Sequence, residues 1–398
     1  MPGSVIVAGA RTPIGKLSGA LASLSAADLG GIAIKAALER AGVTGEQVDA
    51  VLMGQVILAG TGQMPARQAA VKGGVPLSVP ATTVNKACLS GLDTIAWADQ
   101  LISLGQADIV VAGGMESMTG APHLLPGARA GFRAGDAALH DALFHDGLDC
   151  GLEHCSMGLS TELSLAKVGG MGREVQDAFA AASHERAAAA TKDGRLRDEI
   201  VSVAVPQRRG EPVLVEEDEG VRPGTTPDTL AGLRPAFVTD GTGTLTAGNA
   251  SQISDGGGAV VVMSAERAAS LGVTPLAEIV SYATVAGPDD TSLLHQPANS
   301  TRRALERAGL ALGDVDLFEM NEAFAAVVVW SANDLGIPLD VVNVNGGAIA
   351  LGHPIGMSGT RVALTMAHEL RRRGGGLGVA SLCGGGGQGE AMVLRSIS

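Results

Sequence analysis

Hydrophobic positions follow two patterns along the chain: short apolar runs, and longer stretches with an apolar residue every three or four positions. Uninterrupted runs are typical of strands buried on both faces, and the longer spacing is typical of helices that bury one face. The runs predict strands at residues 5–8, 48–53, 81–84, 108–112, 259–263, 276–285, 315–319, 341–344, 377–382 and 390–394. The periodic stretches predict helices at 26–41, 65–71, from Cys88 to about 104, and at 161–167, 175–192, 301–308, 323–335 and 358–373.

Capping signals mark the ends of two of these helices. Ser25 and Asp28 have the spacing of a capping box, and Gly42 supplies a stop after the last helical turn. Ser300 is expected to cap the helix that ends at Ala308.

The alternation of strands and helices predicts an α/β protein. This alternation is interrupted between residues 120 and 242, where an inserted, loop-rich region is expected. The acidic run 216–219 is expected on the solvated surface of that region. The predicted division is a first core domain (1–119 with 243–272), the inserted domain (120–242) and a second core domain (273–398).

An internal repeat indicates that the two core domains are duplicates. The sequence Leu-Glu-Arg-Ala-Gly at 38–42 recurs at 305–309, a separation of 267 residues (305 − 38). Val48-Asp49 and Ser90-Gly91 recur at nearly the same separation, as Val315-Asp316 and Ser358-Gly359. Such matches in order point to a duplicated unit. A pseudo-twofold relation would place the loop before Ser358 opposite the loop that holds Cys88.

Composition narrows the class of protein. At 398 residues the chain is long enough for two or three domains, and its net charge of −13 without a basic run argues against nucleic acid or an anionic membrane as partner. Only four cysteines are present, which suits a reducing compartment. No apolar run approaches a membrane span, and the first residues resemble a strand more than a signal peptide, so a soluble cytoplasmic protein is expected.

Cys88 is the first candidate for chemistry. It lies where a predicted strand gives way to a helix, and the partial positive charge of a helix N-terminus favours a thiolate nucleophile. A small buried cysteine that only packs is the alternative. Its repeat-related counterpart loop carries His353 between glycines, a natural base for a thiol, although a lone histidine is often structural.

Two further motifs follow predicted strands. Cys383 precedes a glycine run whose backbone N–H groups could stabilise an oxyanion. Residues 384–389 also match G-x-G-x-x-G, but only nine residues follow, too few for a dinucleotide-binding βαβ unit. Asn321 could hold a water or a carbonyl, or could simply cap a helix.

Taken together, these motifs resemble the thiolase family, which comprises acetyl-CoA acetyltransferases and 3-ketoacyl-CoA thiolases. The resemblance runs from end to end and is carried by residues 85–91, 112–118, 248–251, 321–325, 352–354 and 383–389. It implies two pseudo-twofold-related βαβαβαββ core domains in a layered α/β/α/β/α arrangement with an inserted loop domain.

The resemblance also implies catalytic roles. Cys88 would be the acylated nucleophile, His353 its activating base, and Cys383 the group that moves the proton at the α-carbon of the second acyl-CoA. Oxyanion holes would form from His353 with a water on Asn321, and from the backbone N–H groups of Cys88 and Gly385. The implied reaction is a ping-pong condensation of two acetyl-CoA to acetoacetyl-CoA and CoA, or thiolysis in reverse.

Coenzyme A thioesters would be substrates, and no cofactor or metal is expected. The residues that the resemblance places along the coenzyme A channel are Arg222, Ser251, Met157, Ala250, Phe237 and Phe324. Arg222 could instead be a surface arginine that balances the acidic run. Cys150, His154 and Cys155 fit no common zinc spacing and are expected to pack.

Two segments depart from the family pattern beside the channel: Ser156 stands where the family commonly has histidine, and residues 291–295 replace a Met-Gly-x-Gly-Pro segment. A degradative thiolase of longer chain length is therefore the alternative function. A non-catalytic acyl-CoA-binding homologue and the fatty-acid condensing enzymes are less favoured, because Cys88, His353 and Cys383 are all present. The resemblance implies a homotetramer or a homodimer, and the loop from His123 to Gly147 favours the tetramer.

Overall fold

A computed structural model describes residues 3–288 and 290–397. The predicted domain limits at residues 1 and 398 lie outside this range. The strands are β1 Ser4–Arg11, β2 Gly15–Lys16, β3 Ala50–Gly54, β4 Ala81–Val84, β5 Ile109–Ser117, β6 His123–Leu124, β7 His140–Asp141, β8 Asp149–Cys150, β9 Cys155–Ser156, β10 Val203–Val205, β11 Val213–Val215, β12 Ser254–Ser264, β13 Ala277–Ala286, β14 Leu317–Met320, β15 Leu377–Gly384 and β16 Gln388–Ser396. The helices are α1 Ala26–Ala41, α2 Pro65–Lys72, α3 Ser90–Ser103, α4 Met157–Lys167, α5 Arg173–Lys192, α6 Pro227–Ala231, α7 Ala265–Leu271, α8 Gln296–Ala308, α9 Ala325–Leu335, α10 Ala348–Leu351 and α11 Ser358–Arg372.

The large sheet of the described chain has two halves with the same internal order. One half runs β1-β12-β5-β3-β4, and the other runs β13-β16-β15-β14. The halves join through the antiparallel pair β1–β13, where Val5 is opposite Glu278. The matching order of equivalent strands confirms the duplication predicted from the repeat.

The hydrophobic clusters define the layers. Helices α1 and α2 pack on the outer face of the first half, and α8 and α9 on the outer face of the second. Helices α3 and α11 share one buried cluster with strands of both halves, so they form the middle layer. This is the predicted α/β/α/β/α arrangement. It brings the N-terminal ends of α3 and α11 together.

The predicted caps of the first helix are confirmed. Ser25 Oγ accepts a hydrogen bond from Asp28 N at 3.2 Å, and Gly42 ends α1 in the left-handed region, at φ 65°.

Two predicted elements are wrong in detail. Helix α8 begins at Gln296, not after Ser300, because Pro297 supplies a helical φ in its first turn. Ser300 lies inside the helix and donates to Gln296 O at 2.7 Å. Residues 341–344 form no strand beyond a single bridge from Val342 to Phe318, because the Asn343 side chain hydrogen-bonds both N and O of Met320 and replaces the ladder.

Residues 120–242 contain α4 to α6 and the two-stranded pairs β6–β7, β8–β9 and β10–β11. A buried ion-pair cluster ties this region to the end of β1. The guanidinium of Arg11 is fully buried and contacts Asp218 at 2.7 and 2.9 Å and Glu199 at 2.8 Å. Asp218 therefore does not lie on a solvated surface, contrary to the prediction for the acidic run. No helix in the described ranges is long and apolar enough to cross a membrane.

Candidate active site

Cys88 lies in a sharp turn between β4 and α3. The turn is closed by hydrogen bonds from Leu89 N to Lys86 O and from Ser90 N to Ala87 O. Ser90 Oγ donates to Ala87 O at 2.6 Å and accepts from Lys86 N at 2.8 Å. Ala87 has φ 51°, a left-handed conformation that costs about 1 kcal/mol for a residue with a β-carbon. The local structure therefore holds Cys88 in a tight, strained turn.

The Cys88 thiol is neutral at rest. Its side chain keeps partial contact with a cavity, but the surrounding protein removes most of its hydration, and this desolvation raises the pKa of Cys88 to about 11. The N–H groups of Cys88 and Gly385 lower that pKa without overcoming burial. Burial therefore opposes the thiolate that these N–H groups favour, and α3 itself begins two residues later, at Ser90.

His353 is oriented as a base by its neighbours. Its Nδ1 lies 2.6 Å from Ser358 Oγ, and the Ser358 hydroxyl donates to Pro354 O at 3.0 Å. Because Ser358 has one hydrogen and spends it on a carbonyl, its oxygen must accept from Nδ1–H. Nε2 of His353 then keeps its lone pair. Burial, followed by the positive charge of Arg361, lowers the pKa of His353 to about 3, which keeps the imidazole neutral.

Asn321 lies behind His353 and is fully buried. Its Nδ2 is 3.3 Å from His353 Nε2, and its Oδ1 makes no hydrogen bond within the described protein. Helix α9 begins at Ala325 with Phe324 at its N-cap, so Asn321 is not a helix cap. The buried amide therefore supplies a free acceptor beside the imidazole.

Three glycines make room for the loop that carries His353. A β-carbon on Gly54, Gly91 or Gly114 would come within 3.0 Å of the Gly356 carbonyl oxygen. The same loop is also held at its backbone by Glu116. Its carboxylate accepts hydrogen bonds from Gly356 N at 3.0 Å, Val56 N at 3.0 Å and Ile57 N at 3.2 Å. Sequence reasoning assigned no role to Glu116, whose contacts are made across two strands and the loop.

Cys383 is the penultimate residue of β15, opposite Gly389, and is 1% exposed. Burial, and then the neighbouring Cys88, raises its pKa well above the usual thiol range. Gly384 packs against Leu89, where a β-carbon would come within 2.6 Å of the leucine side chain. This contact places the glycine turn directly beside the turn of Cys88. It also brings the N–H group of Gly385 to the sulfur of Cys88.

An inner cavity of about 310 Å³ is lined by Cys88, His353, Cys383 and Gly385 together. An outer cavity of about 450 Å³ adjoins it, and six residues line both: Leu148, Met157, Ser251, Phe324, His353 and Ile355. Arg222, Phe237 and Ala250 line the outer cavity, with Phe237 and Phe324 edge to face at 6.1 Å between ring centroids. All the residues predicted for the coenzyme A channel thus lie along one continuous space. Asn321 alone of the predicted residues lies behind its wall.

The exposed Arg222 side chain forms no ion pair with residues 216–219 in the described chain. Cys150 is buried opposite Cys155 in the β8–β9 hairpin and lines the inner cavity. Among the described residues no group of three or more His, Cys, Asp or Glu side chains is placed to hold a metal.

The two segments that depart from the family pattern provide a helix cap and a wall of the inner cavity. Ser156 caps α4, with Oγ accepting from Leu159 N at 3.2 Å. Leu293, from the segment 291–295, is 3% exposed and lines the inner cavity beside Cys383. Sequence reasoning identified the segment but did not single out this leucine.

Comparisons with known proteins agree with this geometry. Residues 4–266 match the thiolase N-terminal domain, and residues 273–396 match the thiolase C-terminal domain. The chain is 57% identical over 396 residues to a probable acetyl-CoA acetyltransferase of Mycobacterium tuberculosis, with 100% of both chains covered. It is 52% identical to an acetyl-CoA acetyltransferase of Cupriavidus necator over 98% of each.

A solved structure gives the same result for the fold. The Bacillus anthracis acetyl-CoA acetyltransferase superposes with a TM-score of 0.96 at 38% identity, covering 100% of this chain and 99% of that one. With both domain models matched in order along the chain, and close relatives aligned from end to end, the protein belongs to the thiolase family.

Proposed function

We propose that this protein is an acetyl-CoA C-acetyltransferase, which condenses two acetyl-CoA to acetoacetyl-CoA and CoA and runs the reverse thiolysis. The observation that carries the proposal is the inner cavity, where Cys88, His353 and Cys383 face one space beside Gly385 N–H. The printed names of the relatives, at 52% and 57% identity over nearly their whole length, support the choice of acetyl-CoA.

In the first half-reaction, Cys88 gives its proton to Nε2 of His353 and its sulfur attacks the acetyl carbonyl carbon. The bond from that carbon to the sulfur of CoA breaks, and the departing thiolate takes the proton of Cys383. CoA leaves with its thiol restored, Cys88 carries the acetyl group, and Cys383 is a thiolate. The N–H groups of Cys88 and Gly385 stabilise the oxyanion of the tetrahedral intermediate.

In the second half-reaction, the Cys383 thiolate takes a proton from the α-carbon of a second acetyl-CoA. The resulting carbanion attacks the acetyl carbonyl on Cys88, and the carbon–sulfur bond to Cys88 breaks. Cys88 recovers its proton from His353, and acetoacetyl-CoA leaves. The protonated Nε2, with a water held by Asn321, stabilises the enolate oxygen. A base whose pKa is raised by burial is well suited to a weakly acidic carbon.

The outer cavity would hold the coenzyme A moiety. Arg222 at its exposed end supplies a positive charge for the nucleotide phosphates, and Ser251 lies where both cavities meet. Met157, Ala250, Phe237 and Phe324 provide apolar walls for pantetheine. The inner cavity beyond that junction, of about 310 Å³, would hold the acyl group.

Mass measurement after incubation with acetyl-CoA tests the chemistry. We expect an acetyl adduct on Cys88 in the wild type and none in Cys88→Ala. In Cys383→Ala the adduct should form more slowly, because the departing CoA must take its proton from water, and should then persist without condensation. An absent adduct in the wild type would favour an acyl-CoA-binding protein without catalysis. Equal loss of acylation and condensation in Cys383→Ala would contradict the assigned division of labour.

Thiolysis rates against acyl chain length test the substrate. Acetoacetyl-CoA should be cleaved more efficiently than longer 3-ketoacyl-CoAs. A clear preference for chains of eight carbons or more would instead identify a degradative 3-ketoacyl-CoA thiolase.

We extend the proposal to a cytoplasmic homotetramer or homodimer in lipid metabolism, with the core and inserted domains divided at residues 119/120, 242/243 and 272/273. Light scattering measures the assembly. The proposed chemistry uses the protein's own side chains and backbone N–H groups and a bound water, with coenzyme A thioesters as substrates and no metal or cofactor. Full turnover after treatment with a metal chelator is the expected result, and loss of turnover that added metal restores would contradict it.

A further inference from the structure

Lys86, two residues before Cys88, reaches three separate elements. Its Nζ lies 2.6 Å from Asp93 Oδ1 on α3, 2.9 Å from Thr284 Oγ1 on β13 and 3.4 Å from Glu390 Oε2 on β16. The Lys86 side chain is 20% exposed, and those of Asp93 and Glu390 are 8% and 0% exposed. These four residues are called the Lys86 cluster below.

Glu390 connects the cluster to the second cysteine. In the sheet, Glu390 is paired on one side with Leu382, the residue before Cys383, and on the other side with Thr284. A carboxyl buried in a sheet is costly unless it is paired. Lys86 is its cationic partner among the described residues, and Glu390 Oε1 makes no hydrogen bond there. The contact with Lys86 therefore links the turn of Cys88 to the strand pair that carries Cys383.

The start of the turn of Cys88 borders an open cavity on the side of the cluster. A polar cavity of about 550 Å³ opens there, lined in part by Asn85, Lys86, Asp93 and Thr284. The turn is also strained, with Ala87 left-handed. A strained turn beside an open cavity keeps its position only where other contacts hold it. Across this cavity those contacts are made by the Lys86 amine.

We propose that Lys86 is a positioning residue. Through Asp93, Thr284 and Glu390 it holds the turn of Cys88 at a set distance from the turn that follows Cys383. This keeps Cys88 Sγ aligned with Gly385 N–H, the donor for the oxyanion. The inference rests on the proposed function, because the alignment matters for acyl transfer to Cys88.

Lys86→Met removes the charge and the donors but keeps the length of the side chain. Because a misplacement of about 1 Å can lower a rate about 100-fold, we expect kcat for thiolysis of acetoacetyl-CoA to fall at least tenfold. KM should stay within about twofold, since the outer cavity is untouched. Lys86→Arg, which keeps a cation, should recover most of kcat.

Glu278→Gln is the matched control. It removes the exposed ion pair with Arg395, 3.0 Å long, between the same two strands β13 and β16. This variant should retain wild-type kcat and KM. A Lys86→Met variant that keeps kcat within twofold overturns the proposal, and so does one that Lys86→Arg fails to rescue.

Glu390 provides a second, independent arm. Burial and the negative charge of Asp93 raise the pKa of Glu390 to about 8, so glutamine resembles its protonated form. Glu390→Gln should keep kcat within about threefold, and Glu390→Leu, which removes the acceptors, should lower it as Lys86→Met does. The double variant Lys86→Met/Glu390→Leu should be no slower than the slower single variant, whereas additive losses would contradict a shared role.

Amide hydrogen exchange separates this inference from the proposed function. In Lys86→Met, exchange should rise in residues 85–90 and 384–388 together, and in Glu278→Gln in neither. This readout needs no turnover. If the wild type forms no acetyl adduct, the proposed function fails while the exchange result still decides whether Lys86 holds the two turns. Unchanged exchange in both segments would refute the positional role.

Discussion

Gly91 of α3 and Gly359 of α11 are equivalent residues of the two halves, and each faces the other helix where the two helices begin. A β-carbon on Gly91 would lie 2.8 Å from Thr360 N, and one on Gly359 would come within 3.0 Å of Leu92 N. No real β-carbon tolerates that approach to backbone. The contact therefore sets how closely the turn of Cys88 approaches the loop of His353.

Alanine at either glycine should push the two helices apart. We expect Gly91→Ala and Gly359→Ala each to destabilise the protein by about 1–3 kcal/mol and to lower kcat for thiolysis more than about tenfold. Thermal unfolding and steady-state kinetics measure the two effects. Gly232→Ala, at a glycine with open space around its β-carbon position, should change neither. Wild-type kcat in both helix variants would show that this contact does not set the site.

Ser358 determines which nitrogen of His353 carries the proton. Replacing it by alanine removes the acceptor for Nδ1–H and frees the ring to turn, so we expect kcat to fall about 10- to 100-fold with little change in KM. The control is Ser331 on α9, another fully buried serine, whose hydroxyl donates to Leu294 O at 2.8 Å. Ser331→Ala should leave kcat unchanged. Equal losses in the two variants would indicate a general effect of cavity formation.

The pKa of the Cys88 thiol predicts how its reactivity depends on pH in the free enzyme. With the pKa raised to about 11 by burial, the thiolate fraction should grow about tenfold per pH unit between pH 7 and pH 10. Alkylation of Cys88 by iodoacetamide, followed by peptide mass mapping, measures that slope. A rate that levels off near pH 8 would reveal a stabilised thiolate and contradict a neutral Cys88 thiol in the free enzyme.

Much of the fold followed from local signals and the repeat. The capping pair Ser25 and Asp28, the stop at Gly42 and the apolar strands appear where the sequence predicts them, because their causes lie within a few residues. The separation between Ser90 and Ser358 predicted the pairing of α3 with α11, since duplicated units keep their internal order.

What failed depends on contacts distant in sequence. Asn343 ends a predicted strand because its amide reaches Met320, and no periodicity reports such a contact. Asp218 looked solvated within an acidic run, yet it pairs with Arg11, 207 residues away. The protonation of Cys88 depends on how much protein covers it. Burial of the thiol raises its pKa, and no local sequence pattern reports that burial.

Arg11 should be the residue whose loss most damages the attachment of the inserted region. Arg11→Met leaves Asp218 and Glu199 buried without their cation, and removal of one partner from a buried pair costs about 3–5 kcal/mol. Urea unfolding measures this loss. Arg302→Met, which removes an exposed pair with Asp334, should cost less than about 1 kcal/mol. A similar small loss for Arg11 would mean that other contacts hold the region in place.

Leu293 should limit the length of the acyl chain. Its side chain lines the inner cavity beside Cys383, so Leu293→Ala should enlarge the space available to a longer acyl group. Since each methylene in an apolar pocket changes kcat/KM about tenfold or more, we expect the ratio for six-carbon over four-carbon 3-ketoacyl-CoA to rise at least about tenfold. Thiolysis rates for the two substrates measure it.

Leu165→Ala separates the size of the pocket from loss of packing. Leu165 is equally buried and belongs to the same hydrophobic cluster as Leu293, but it lines neither cavity. Both substitutions should lower stability by about 2–5 kcal/mol, whereas only Leu293→Ala should shift the chain-length ratio. A shift of equal size in both variants would trace selectivity to the looseness of the whole cluster. An unchanged ratio in Leu293→Ala would place the end of the acyl pocket elsewhere. The remaining bulky apolar walls of the inner cavity are Leu148, Met157, Phe324 and Ile355.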